Sequence, residues 1–188
     1  MNDLNQAVQV LENGGVVMHA TETCYGLAVA VADHDALRKL YQVKGMAKDN
    51  PVSILVDSYG MASEYGVFSE EAFELAQKHW PGPLSILVPR SRKLPAFFNP
   101  GHEFVSIRCS SNDFCREMVK ELGMPVTTTS ANRTGEPQLY EAKKFDEKIH
   151  LVVDGGVIAQ NQPSTIVKVE GDRIEILRQG GVVLHKDV

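Results

Sequence analysis

The pattern of apolar and polar positions predicts helices and strands in alternation along the chain. Near the N-terminus, apolar residues at helical spacing from Leu4 to Leu11 predict a helix that Gly14 brings to an end. A run of apolar residues over 16–20 predicts the first strand, and the polar residues over 21–26 predict a loop. The chain therefore begins with a helix, a strand and a loop that is rich in hydroxyl groups.

The same alternation continues towards the C-terminus. Helices are predicted over 33–43, 69–79 and 112–122, and strands over 51–56, 84–88, 104–109, 125–129, 151–153, 165–169 and 173–177. Strands that alternate with helices predict an α/β fold. We expect a single domain over 1–188, built on a twisted, mostly mixed sheet with flanking helices.

Composition and charge narrow the class of protein. The 188 residues are 43% hydrophobic and 23% charged, which is typical of a globular protein. A net charge of −5 argues against a protein that binds nucleic acid with its whole surface, although a local basic cleft stays open. The sequence lacks an apolar run long enough to span a membrane, and its N-terminal segment lacks the features of a signal peptide. We therefore expect a cytoplasmic protein without membrane association.

Cysteines and histidines give no indication of a metal site. The three cysteines, Cys24, Cys109 and Cys115, contain no CxxC pair, so reduced thiols are expected. The six histidines are scattered, and no two of them are four residues apart. We therefore predict no metal that is bound by the protein itself.

Five polar segments follow or precede predicted strands, where α/β sheets bind ligands. They are TETCYGL (21–27), KGMAKDNP (44–51), TTTSANRTG (127–135), PSTIV (163–167) and ILRQGG (176–181). Their lysines, hydroxyl groups and arginine suit phosphate or carboxylate oxygens. Capped turns and solvated helix ends explain the same residue types, so the residues alone leave both interpretations open.

Lys44 is the most informative of these residues by position. It lies seven residues after Leu37, on the apolar side of its helix, so we expect it to point into a cleft. The segments offer neither a Ser–His–Asp order nor a nucleophile with a positioned base. This favours catalysis by positioning and charge stabilisation.

Together, the segments resemble the YrdC-like family of threonylcarbamoyl-AMP synthases over about 4–181. TETCYGL is similar to the family's PTxTxYGL, KGMAKDNP to its K-x-R region, and WPGPLSILV to its WPGPxT stretch. VSIRC matches VxxR, TSANRTGEP matches TSAN-x-SG-x-P, STIV matches STIVD, and ILRQGGV matches LRxG. Each motif alone is weak, but seven in the family's order are a specific signal.

The resemblance implies a YrdC-like fold and a reaction. L-threonine, bicarbonate and ATP give threonylcarbamoyl-AMP and pyrophosphate. Partner proteins of tRNA modification then transfer the threonylcarbamoyl group to an adenosine in certain tRNAs, and direct contact with tRNA stays open. Mg²⁺ is expected to come with the nucleotide rather than in a protein cage.

The resemblance also implies roles for individual residues. Those expected to bind threonine are Thr21, Tyr25, Arg108 and Ser164, with Arg108 suited to the carboxylate. Those expected to contact ATP are Lys44, Lys48, Thr128, Ser130, Asn132 and Arg178. Lys44 and Lys48 are the expected catalytic residues.

The sequence departs from the family's pattern at two positions. Ala20 stands where the family usually has proline, and Met46 stands where the family has the arginine of K-x-R. Lys48 lies four residues after Lys44, and on a continued helical turn the two would share a face. We therefore expect Lys48 to replace part of the missing charge.

Two other functions remain compatible with these residues. One is a related carbamoyl-adenylate former that acts on another substrate. The other is a non-catalytic module that binds a nucleotide or RNA.

Overall fold

The computed structural model describes residues 3–47 and 50–184. Its helices are α1 (Asp3–Glu12), α2 (His34–Lys44), α3 (Tyr59–Tyr65), α4 (Glu70–His79) and α5 (Asp113–Leu122). Its strands are β1 (Val17–Ala20), β2 (Tyr25–Ala28), β3 (Ser53–Leu55), β4 (Leu84–Pro89), β5 (Phe104–Arg108), β6 (Val126–Ser130), β7 (Leu151–Val152), β8 (Thr165–Glu170) and β9 (Arg173–Arg178). Within this part of the chain, every helix is too short or too polar to cross a membrane.

The strands join one sheet of nine, in the order β7-β1-β2-β6-β3-β5-β4-β8-β9. Three neighbouring pairs are parallel, namely β1 with β7, β3 with β5, and β4 with β8. The other neighbours are antiparallel. The predicted α/β fold with a mixed, helix-flanked sheet is therefore confirmed.

The two faces of the sheet are covered differently, because successive strand residues point to opposite faces. Ile54, Ile86 and Ile107 lie on one face and pack into the larger core with α2, α3 and α4. Leu55 and Val126 lie on the other face, in a smaller core with α1 and α5. Beyond these two helices, that face carries hydroxyl side chains such as Ser53, Ser85 and Thr128, and also the apolar Leu87 and Phe104.

Side-chain caps set several of the predicted helix boundaries. Asp33 accepts a hydrogen bond from the Ala36 amide at 2.8 Å at the start of α2. Ser69 and Asn112 cap α4 and α5 in the same way, as predicted. Such caps are worth about 1 kcal/mol each. At the other end of α2, Gly45 has a φ of 57°, a left-handed conformation that ends the helix directly after Lys44.

Two elements differ from the sequence prediction. Residues 25–28 form β2, although the loop was predicted to extend through Gly26. The strand is short and contains a glycine, and it is held by pairing with β1 and β6 on its two sides rather than by local propensity. The seven-residue α3 was not predicted because it is too short to show a helical period, and Ser58 caps it.

Candidate active site

A polar cavity of about 220 Å³ opens on the uncovered part of the sheet face. Residues of β2, β3, β4, β5, β6, β8 and β9 contribute to its lining, together with the loop after β1 and the segment before β8. Six of the predicted site residues line this cavity: Thr21, Arg108, Thr128, Ser130, Ser164 and Arg178. Segments that lie far apart in the sequence are thus brought to one place.

Arg108, the last residue of β5, has a side chain that is only 7% exposed. Its Nη2 donates to Glu22 Oε1 at 2.9 Å and to Thr23 Oγ1 at 3.1 Å. Its Nε is buried and has no hydrogen-bond partner within the described residues. Nη1 has no partner there either, so the guanidinium, which lines the cavity, keeps donor capacity for a charge-assisted bond to a carboxylate.

Arg178, at the end of β9, supplies a second guanidinium. Its Nε and Nη2 donate to the Ser164 carbonyl at 2.9 and 2.7 Å, and Nη2 also reaches Ser164 Oγ at 2.9 Å. Burial, and then the charge of Arg108, lower the pKa of Arg178 below its usual value. Two cations in one hydroxyl-lined cavity favour an anionic ligand.

Thr21 shapes the turn between β1 and β2. Its Oγ1 donates to the Cys24 carbonyl at 2.7 Å and accepts from the Thr23 amide at 3.1 Å. The turn holds Thr21, Thr23 and Cys24 at the wall of the cavity. The hydroxyl groups are therefore fixed before any ligand binds.

Lys44 lies behind the cavity wall, one contact away from it. It is buried, and its Nζ donates to the Ser130 carbonyl at 2.7 Å and to Asn132 Oδ1 at 3.0 Å. Burial lowers the pKa of Lys44 to about 8. The lysine was expected to point into a cleft, but it does not line the cavity: its direct contacts are with Ser130 and Asn132, and only Ser130 of the three lines it.

Comparison with known proteins places this arrangement in a family. The profile of the Sua5, YciO and YrdC proteins, described as "Telomere recombination", matches residues 9–180. The chain belongs to the Sua5/YciO/YrdC family. The resemblance recognised in the sequence is therefore confirmed.

Several members of the Sua5/YciO/YrdC family are similar over nearly the whole chain. The threonylcarbamoyl-AMP synthase of Pyrococcus abyssi is 30% identical over 188 residues, which cover 96% of this chain and 54% of that protein. The threonylcarbamoyl-AMP synthase of Bacillus subtilis is 32% identical over 183 residues, covering 94% and 53%. The chain thus spans about half the length of these two relatives.

A solved member of the family has the same fold. The crystal structure of P. abyssi Sua5 complexed with L-threonine superposes with a TM-score of 0.88 at 29% identity. The match covers 95% of this chain and 54% of that one.

Three residues that were expected to contact a substrate do not line the cavity, namely Tyr25, Lys44 and Asn132. Tyr25 does not line the cavity: its hydroxyl accepts from the Gly155 amide at 2.9 Å and donates to the Gly156 carbonyl at 2.8 Å. The reason is that residue 25 is the first of β2, so its side chain alternates away from the cavity. Lys48 lies outside the described residues, and the expected helical turn that would join it to Lys44 is wrong because α2 ends at that lysine.

Three residues that line the cavity lie outside the five polar segments that the sequence analysis singled out. Ser53 and Ser85 are single hydroxyls in otherwise apolar strands, and Gln138 follows the TSAN segment. A strict period-two analysis of the strands would have placed Ser53 and Ser85 opposite the apolar core. Gln138 gave no such signal, because it lies outside any regular element.

The residues around the cavity do not fit a Mg²⁺ ion held by the protein. Mg²⁺ prefers carboxylate oxygens and water, whereas this lining consists mostly of hydroxyl groups and cations. The nearby carboxylate of Glu22 already binds Arg108 and Ser110. No cluster of three acidic, histidine or cysteine residues suitable for a metal occurs in residues 3–47 and 50–184.

Proposed function

We propose that this protein is a threonylcarbamoyl-AMP synthase, which converts L-threonine, bicarbonate and ATP to threonylcarbamoyl-AMP, pyrophosphate and water. The observation that carries the proposal is the Arg108 guanidinium, which lines the cavity with Arg178 and Ser164 and whose hydrogen bonds within the described residues all come from Nη2. Its remaining donor capacity suits the carboxylate of an amino acid. Two similar proteins are named for this activity, and one solved relative contains L-threonine, which supports the same substrate here.

The proposed mechanism needs no nucleophile from the protein. Arg108 holds the threonine carboxylate, while Thr21 and Ser164 offer hydroxyl groups beside it. The threonine nitrogen attacks the carbon of bicarbonate, and loss of water leaves a carbamate. A carbamate oxygen then attacks the α-phosphorus of ATP, the bond to the bridging oxygen breaks, and pyrophosphate leaves. The protein's part is to orient the reactants and to stabilise charge on the phosphate oxygens.

The phosphate groups are proposed to lie against the wall formed by β6 and Arg178. Thr128 and Ser130 present hydroxyl groups there, and Arg178 presents a guanidinium. Lys44 supports this wall without lining the cavity, because its Nζ donates to the Ser130 carbonyl and to Asn132 Oδ1. Mg²⁺ is proposed to arrive with the phosphates of ATP, and no step is assigned to it.

The proposed product is an activated acyl adenylate that other proteins must consume. Transfer to a tRNA adenosine by partner proteins, direct contact with tRNA and a place in the cytoplasm all belong to this proposal. A mixed anhydride of a carbamate with AMP reacts readily with water, so a transfer step that follows promptly suits its chemistry.

Mass spectrometry of the product tests the proposed function. We expect threonylcarbamoyl-AMP after incubation with ATP, Mg²⁺, bicarbonate and threonine, and none when threonine or bicarbonate is omitted. Pyrophosphate release that does not depend on threonine would point instead to an adenylate former acting on another substrate. Nucleotide binding without any turnover would point to a binding module.

A further inference from the structure

Glu22 binds three residues of a second segment beside the cavity, namely Arg108, Ser110 and Ser111. It lies in the turn after β1, and its side chain is 18% exposed. Its Oε1 binds Arg108 Nη2 at 2.9 Å and accepts a longer bond from the Ser111 amide at 3.4 Å, while its Oε2 accepts from Ser110 Oγ. The carboxylate thus joins the turn after β1 to the segment that follows β5.

These contacts determine how Arg108 can be used. A buried guanidinium is costly unless an anion compensates it, and Glu22 is that anion. Glu22 and Thr23 both bind Nη2, which leaves Nε and Nη1 without a partner within the described residues, and of these two Nε is buried. Arg108 is therefore held at one nitrogen while another donor remains for a ligand.

Glu22 also balances charge within the cavity. Arg108 and Arg178 line the same cavity, and burial together with the charge of Arg108 lowers the pKa of Arg178. The charge of Arg108, together with bonds from Ser110 and Arg108, keeps the pKa of the Glu22 carboxyl below its usual value even though burial opposes this. Glu22 is therefore ionised at neutral pH and offsets one of the two positive charges.

We infer that Glu22 is a positioning residue, which fixes the Arg108 guanidinium so that its free donor receives the carboxylate of the substrate. This inference rests on the proposed function, because it takes threonine as the ligand of Arg108. Glu22 itself does not touch the substrate. Its loss should therefore weaken threonine binding and leave the use of ATP nearly unchanged.

The test compares Glu22→Gln, which keeps the shape and removes the charge, with Glu22→Asp, which keeps the charge. Glu64→Gln is the matched control, since Glu64 forms an exposed ion pair with Lys93. Threonine binding by calorimetry and the separate KM values for threonine and ATP are measured with the full chain. We expect Glu22→Gln to raise the threonine Kd and KM about tenfold. The ATP KM and kcat should stay within about twofold, Glu22→Asp should recover part of the loss, and Glu64→Gln should behave as the wild type.

Three results would overturn the inference. An unchanged threonine Kd in folded Glu22→Gln would show that Arg108 needs no support. A lower Kd would show that Glu22 only competes with the substrate for the guanidinium. Equal losses for threonine and ATP together with a lower Tm would show a purely structural role.

If Glu22→Gln does not fold, Thr23→Val removes the second Nη2 partner and must raise the threonine Kd. Wild-type protein that binds no threonine would instead refute the proposed function.

Discussion

Replacement of Arg108 by alanine is the most direct perturbation of the proposed threonine site. The guanidinium is almost fully buried where it lines the cavity, and the bond that it would give to a carboxylate is charge-assisted. Loss of such a bond costs about 1.5–3 kcal/mol, which corresponds to an increase of about 10–150-fold in the threonine KM. Pyrophosphate release at saturating ATP, with threonine varied, measures this change.

The same substitution leaves Glu22 without its partner, so stability has to be followed separately. Removal of one member of a buried ion pair costs about 3 kcal/mol or more, because the other charge stays behind. The double variant Arg108→Ala/Glu22→Gln removes both charges, and we expect it to recover much of the stability but none of the threonine affinity. A folded Arg108→Ala protein with the wild-type threonine KM would refute the assigned role.

Three further predictions concern Lys44, His19 and the segment that contains Met46 and Lys48. Burial lowers the pKa of Lys44 to about 8, so this lysine loses its charge as the pH rises through that value. The kcat/KM for ATP should therefore fall above pH 8. A folded Lys44→Arg protein, in which residue 44 stays charged, should lack this fall. Burial lowers the pKa of His19 from 6.5 to about 4, so the folded protein binds this proton less readily than the unfolded chain does. The free energy of unfolding should therefore fall by about 3 kcal/mol as the pH falls from 6.5 towards 4. Acid unfolding of His19→Gln should show a smaller loss of stability. Met46→Arg, which restores the family's arginine, should leave the ATP KM unchanged or lower it, whereas Lys48→Ala should raise it; full ATP use by Lys48→Ala would show that Lys48 carries no phosphate charge.

The sequence predicted most elements of the fold, because their signals are local. Asp33, Ser69 and Asn112 each cap the helix that periodicity indicated, and the apolar strands occur where expected. The second strand was missed because its stability comes from its neighbours β1 and β6 rather than from its own residues. The local sequence pattern therefore predicts elements whose own residues carry the signal, and it does not predict an element that depends on pairing with neighbouring strands.

The site was predicted less completely, for a related reason. Motif resemblance identified Arg108, Ser164 and Arg178, which the structure brings to one cavity. The resemblance gave no direction for individual side chains, so Tyr25 was assigned to threonine although its hydroxyl binds the glycine loop at 155–156. Glu22, whose side chain binds Arg108, is part of the TETCYGL motif. Its partner is 86 positions away in the sequence, so no local pattern connects the two.

The uncovered sheet face explains why the cavity is lined with hydroxyl groups. An apolar face of this size would expose hydrophobic surface to water, and charged side chains alone would repel one another across neighbouring strands. Ser53 and Ser106 avoid both problems, because their hydroxyl groups bond to each other at 2.9 Å across β3 and β5. Ser85 and Ser164 pair in the same way at 3.3 Å. These hydroxyl groups are thus satisfied by each other, whereas the Arg108 guanidinium keeps donors without a partner within the described residues, and we expect a substrate to bind there.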